Sequence, residues 1–226
     1  MIATWSYRLV LALILALVFY YIYPNSDPNP RPSWWNIEIQ NSQVSVLNLN
    51  MHQSTLDDVS KQLQVKADVA MFTKRTRKDE APAALHLEAY LEDLYDEGDR
   101  VIFGLDASDE LLALIKKEAF EPQLFPNDVI RIGISPSLSE TMGHLTIRSI
   151  TVIAGWQVVF EEFKEKFGEP AQFLNDGQGN AHFLYPAMGL DFIQPADGLQ
   201  ILQFVAPDKF EETLLRPLLE IQKQGH

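Results

Sequence analysis

The chain has 226 residues, no cysteine and a formal charge of −13 at pH 7. Without cysteine, thiol catalysis, disulfides and thiolate metal centres are excluded, and the redox state of the compartment leaves no mark on the chain. The acidic balance argues against nucleic acid as a partner and against docking on anionic lipid.

Leu9 to Tyr23 is an unbroken apolar run that Pro24 ends, and Arg8 is the one charged side chain before it. Its 15 residues span roughly 22 Å as a helix, and Trp5 to Tyr7 together with a snorkelling Arg8 extend it toward the thickness of a bilayer core. Residues 1–23 are therefore predicted to be a transmembrane signal anchor. Leu9, Leu13 and Leu17 are expected within the membrane, and Tyr20 and Tyr23 in an aromatic belt at its interface. A cleaved signal peptide is the competing reading, but Val18 to Tyr23 offer no pair of small residues for cleavage. Arg8 and the terminal amine precede the run, which predicts a cytoplasmic N-terminus, an inner-membrane location and a periplasmic C-terminal domain. Residues 24–34 read as a Pro-rich linker. Trp34 and Trp35 have two readings, an interfacial aromatic belt or packing on the folded domain.

The remaining residues are predicted to fold as α+β, with the same order of elements used twice in tandem, a helix followed by an antiparallel sheet. The first copy, residues 35–140 with a crossover loop, starts with a strand over Val44–Leu49. A helix follows, capped by Ser54 and buried through Leu56, Val59 and Leu63. Strands near Val65–Thr73, Ala84–Leu94 and Arg100–Leu105 come next, then a helix over Asp109–Ala119 capped by Ser108. A Pro-containing loop over Glu121–Ser139 leads out of this copy. In the second copy, residues 141–226, the strand Leu145–Ile153 precedes a helix opened by Gly155 and ended by Gly168 and Pro170. Trp156, Val159, Phe160, Phe163 and Phe167 form its apolar stripe, read as core beneath a sheet rather than as a ligand groove. Strands over Ala171–Leu174, Ala181–Tyr185, Leu190–Gln194 and Leu199–Val205 are separated by Asp176-Gly177, Pro186–Gly189 and Asp197-Gly198 turns. A terminal helix from Asp208 to about Gln222, bent at Pro217, closes the chain.

Chemistry-bearing patterns are sparse. The histidines, at 52, 86, 144, 182 and 226, form no HExxH or His-x-His pair, so no metal and no cofactor is expected. Ser139 and His144 have no nucleophile-elbow glycines, and no catalytic residue is assigned. Asp93, Asp96, Glu97 and Asp99 around Gly98 lack EF-hand spacing and read as a solvated turn. Asp176 to Asn180 precedes a strand, so its glycines serve a turn rather than a phosphate loop. Strand alternation offers Tyr90, His182 and Leu184 as partner-binding candidates on the outer sheet face, although the sequence does not fix which parity faces out.

One stretch carries a resemblance. Gly155-Trp156 through Phe167-Gly168-Glu169-Pro170, Phe183-Leu184-Tyr185, Gly189-Leu190-Asp191-Phe192 and Asp197-Gly198-Leu199-Gln200-Ile201 resemble the BamE/SmpA/OmlA family pattern. That family shares the tandem helix-plus-sheet fold of β-lactamase inhibitor protein. The resemblance covers about 55 residues. It implies a noncatalytic, envelope-facing binding module whose partner is another envelope protein; the chain departs from the family in lacking a lipid-bearing cysteine. The alternative expectation is a carrier or sensor of a small apolar or lipid ligand, held in a cavity between helices and sheets.

Overall fold

The structure is a computed structural model that describes residues 33–40, 43–76, 83–95, 98–125 and 128–224. The expected anchor, with Leu9, Leu13, Leu17, Tyr20 and Tyr23, and nearly all of the linker lie outside the described residues. Among those described, no helix is long and apolar enough to cross a membrane.

Among the described residues, thirteen strands form two sheets. Glu38–Gln40 (β1), Gln43–Val46 (β2) and Leu49–Asn50 (β3) make a small three-stranded meander. The other ten are Asp68–Lys74 (β4), His86–Leu94 (β5), Asp99–Leu105 (β6), Phe120–Leu124 (β7), Val129–Gly133 (β8), Ile147–Ile153 (β9), Gln172–Asn175 (β10), Ala181–Tyr185 (β11), Leu190–Gln194 (β12) and Ile201–Val205 (β13). They form one antiparallel sheet in the order β10-β11-β12-β13-β9-β6-β5-β4-β8-β7. The helices are short: Leu56–Leu63 (α1), Asp109–Glu118 (α2), Ser139–Gly143 (α3), Phe160–Phe167 (α4) and Arg216–Gln224 (α5).

The expected class, α+β with a transmembrane helix ahead of two tandem helix-plus-sheet repeats, is thereby overturned. The described chain is mostly β, and its ten strands belong to one continuous sheet rather than to two repeated units. The reason lies in β9. It pairs on one side with β13, placing Leu202 beside Val152 and Phe204 beside Ile150, and on the other with β6, placing Val101 beside Val152 and Phe103 beside Ile150. Its Ile150 and Val152 are wholly buried, so the seam is a hydrogen-bonded ladder with a continuous apolar row beneath it.

That row belongs to a core shared with Leu56, Val59 and Leu63 of α1, Ile115 of α2, Met142 of α3 and Phe163 of α4. Alternation along the strands sends Leu87, Ala89 and Leu91 of β5 into this core and Glu88, Tyr90 and Glu92 to the opposite face. On that opposite face α5 seats a second, smaller core of Leu184, Val205, Phe210 and Leu218. Among the described residues, the sheet is therefore covered on both faces across β11–β13 and bare on one face across β4–β9.

Several local expectations shift for identifiable reasons. The expected leading strand Val44–Leu49 is broken by Leu47 and Asn48, both at positive φ, into the β2–β3 hairpin of the small sheet. The cap of α1 is Thr55, not Ser54. Thr55 and Asp58 close a reciprocal capping box, while the Ser54 hydroxyl accepts the Asn50 amide at 3.0 Å. The helix expected from Gly155 starts only at Phe160, because the Gly155 amide donates to Asp99 and the Val158 amide to the Gln200 side chain. The loop expected over Glu121–Ser139 holds most of β7 and all of β8, which cover the outer edge of β4. Ser108 does cap α2. Near Pro217 the chain forms a π turn, Glu211–Leu215, before α5.

Candidate functional site

The bare face of β4–β9 carries a groove of about 500 Å³. Phe72 of β4, Ile102 of β6, Ile153 of β9 and Phe125 just after β7 supply its apolar lining, and Glu88, Glu92, Arg100 and Arg131 supply charge. Phe125 and neighbouring Leu124 are exposed large hydrophobics on an edge of the sheet.

Tyr90 stands in this groove, as one of the partner-binding candidates taken from the sequence. It faces Asp68 across the β4–β5 pair, and its hydroxyl donates to the Asp68 carboxylate. Arg131, reaching over from β8, donates to the same carboxylate at 2.9 Å and to the Tyr90 oxygen at 2.8 Å. Its guanidinium also lies 5.8 Å from the Tyr90 ring centroid. Burial, reinforced by the bond to Asp68, raises the Tyr90 pKa above its ordinary value, so the phenol stays a neutral donor. Next along β5, burial raises the Glu88 carboxyl, while His86 and Arg148 pull the other way. The result is a hydrogen-bonded polar post between apolar walls.

His182 and Leu184 lie on the face opposite the main core, a parity the sequence leaves open, and neither is accessible. Leu184 is 0% exposed within the small core that α5 makes. His182 is 8% exposed, with Nδ1 2.7 Å from Asp191 Oδ2 and Nε2 3.8 Å from Asp176 Oδ2. Burial disfavours the imidazolium, but the bond and charge of Asp191, together with Asp176, outweigh it and raise the His182 pKa. Burial likewise pushes the Asp191 carboxyl up against the pull of His182. Burial also opposes ionisation of Asp176, yet the Asn180 side chain and the Gln178 and Asn180 amides hold its carboxyl below the usual range.

The other chemistry-bearing residues singled out in the sequence form no common cluster among the described residues. Ser139 donates to the Pro136 carbonyl, and His144 faces Asp57 at 3.6 Å. His52 pairs with Asp106 at 3.0 Å on the surface. Asp93 accepts the Gly98 amide, which is turn chemistry, whereas Asp99, read as part of the same solvated turn, is buried. Among the described residues no group of three His, Asp or Glu side chains is placed to hold a metal ion.

Trp34 is 2% exposed and stacks on Trp156 with ring centroids 5.7 Å apart, so packing on the folded domain describes its role. Trp35 packs edge-on against Phe163 and Phe167.

Sequence reasoning missed Asp68 and Arg131 as partners of Tyr90, since their convergence depends on pairing between strands far apart in the chain. Asp191 left a fainter signal, a carboxylate inside the apolar strand Leu190–Gln194.

Comparison with protein-family models, with characterised proteins and with solved structures finds no match. The BamE/SmpA/OmlA resemblance therefore rests on the residues quoted for it.

Proposed function

We propose that this chain is a noncatalytic binding module of the bacterial envelope, attached to the inner membrane through its apolar N-terminal residues, with the folded part in the periplasm. In this reading, the groove beside Tyr90 receives a segment of another envelope protein. The observation that carries the proposal is the bare half-face itself. The sheet is covered on both sides across β11–β13, whereas across β4–β9 it presents Phe72, Ile102, Phe125 and Ile153 around a fixed Tyr90–Asp68–Arg131 post. Apolar walls with a few oriented polar groups suit recognition of a side chain together with its backbone. The apolar run, the spacer and the absence of a catalytic pattern support the same reading, as does the resemblance to an envelope-facing family.

A carrier of an apolar or lipid ligand is the alternative from the sequence, placed in a cavity between helices and sheet. The groove lies on the other face and carries four charged side chains, which favours a protein segment.

The test is in-cell photocrosslinking of the full-length protein with a photoreactive residue at Phe125, and at Leu114 of α2 as the control position. A reproducible protein adduct at 125 that is absent at 114 and lost in Ile102→Glu is expected. No adduct specific to position 125 refutes the groove reading. Deleting residues 1–33 tests attachment separately, because an adduct that survives the deletion keeps the groove and removes the dependence on the N-terminal segment.

A further inference from the structure

Three observations meet at His182. Its ring lies between two carboxylates, and His182 Nε2 and Asp191 Oδ1 are buried atoms without a hydrogen-bond partner among the described residues. Asp176, facing Nε2, is built into the β10–β11 turn by the amides of Gln178 and Asn180 and by the Asn180 side chain. The carbonyl of Asn175, next to it, accepts a hydrogen bond from Gln222 of α5, and α5 is otherwise seated through the small core of Leu184, Val205, Phe210 and Leu218.

We propose that His182 is a proton-operated latch that couples the acidity of the surroundings to the seating of the C-terminal helix on the sheet. With the proton bound, both ring nitrogens are donors, one to Asp191 and the other aimed at Asp176, and the positive charge offsets two buried negative ones. The turn that carries Asp176 is then fastened, and with it the Asn175–Gln222 bond. With the proton gone, Nδ1–H stays on Asp191 while the bare Nε2 lone pair faces the Asp176 carboxylate. Two buried anions remain without a cation between them, an arrangement relieved by loosening the turn. Release of α5 uncovers Leu184 and Val205, which extends the bare sheet face beyond the groove.

The charged groups facing His182 are Asp191 from β12 and Asp176 from the β10–β11 turn, and both favour the proton. Because the His182 pKa is raised in the folded chain, the stabilisation is full below the ordinary histidine value of 6.5 and is lost as pH rises through the folded value above it. The latch stands on its own geometry and does not depend on the function proposed for the groove.

Hydrogen–deuterium exchange of the full-length chain in detergent micelles, at pH 6 and pH 8 with exchange times scaled for intrinsic rates, tests it. Segments 172–185 and 210–224 should be better protected at pH 6, by up to about tenfold per pH unit for a single linked proton, while segment 99–105 changes little. Equal protection at the two pH values, or an equal change in 99–105, overturns the latch. His182→Gln should abolish the difference, and a full difference in that variant also overturns it. Should that variant fail to fold, Asp176→Asn keeps the His182–Asp191 pair and removes the anion at Nε2. It is expected to cut the difference by at least about half, and an undiminished response in it overturns the proposal.

Discussion

The indole of Trp34 donates to one carboxylate oxygen of Asp99 at 2.6 Å, and the other oxygen accepts the Gly155 amide at 2.7 Å. Asp99 is 3% exposed, so both bonds are made away from water, and they tie the beginning of the folded chain to β6 and to the segment that leads into α4. Asp99→Ala leaves two donors without an acceptor and should cost about 3 kcal/mol. Trp34→Phe keeps a ring in place and should cost about 1–2 kcal/mol. Urea midpoints measure both, and exposed Asp208→Ala, expected to fall within about 0.5 kcal/mol of the parent, calibrates them.

Gly189 ends the short 3-10 turn Pro186–Met188 at φ +61°, and a Cβ there collides with the Val205 carbonyl oxygen. The same residue's carbonyl accepts the Val205 amide at 2.9 Å, so the backbone cannot retreat without losing a bond. Gly189→Ala combines a left-handed conformation with overpacking and should destabilise by about 2–5 kcal/mol. Gly177, at φ +76° with open space around it, carries only the conformational cost, and Gly177→Ala should lose about 1–2 kcal/mol. Equal losses in thermal unfolding of the two variants contradict the steric argument.

Burial, with Glu169 nearby, pushes the Tyr185 phenol up to about 12. An acid whose folded pKa is raised favours the folded state only while it stays protonated. The unfolded chain ionises first, from its ordinary value of 10.0, and stability drains as pH rises from there toward the folded value. The loss should reach about 2 kcal/mol across that window. Tyr185→Phe, which also removes the hydroxyl's bond to the Gly168 carbonyl, should flatten this alkaline slope. The difference between the two chains in urea midpoint against pH is the readout.

The local pattern carried much of the fold. The strands Ala181–Tyr185 and Leu190–Gln194 and the Ser108 cap were legible because alternation, turn residues and capping hydroxyls act within a few residues. Long-range pairing was not. Nothing in Ile147–Ile153 says that it lies between β13 and β6, and that one placement turns an expected tandem repeat into a single sheet. β7 was illegible for another reason. Every residue in it is exposed and Pro122 interrupts it, so it shows no burial-driven period. At the site, Tyr90 could be singled out by alternation along one strand, while Asp68 and Arg131 required register between three. His182 and Leu184 were singled out without the parity being fixed, and the cover over Leu184 comes from Phe210 and Leu218, whose docking face no local rule assigns.

The position of β9 also sets an order of events. Until residue 153 exists, β6 is an open edge whose Val101, Ile102 and Phe103 offer an unpaired apolar ladder. A chain emerging from the ribosome holds that edge bare for more than forty residues of further synthesis. The interval between β6 and β9 is thus the period in which the nascent chain is most prone to pair with a neighbour instead of with itself, and a chaperone that bound this strand would be guarding the step that joins the sheet.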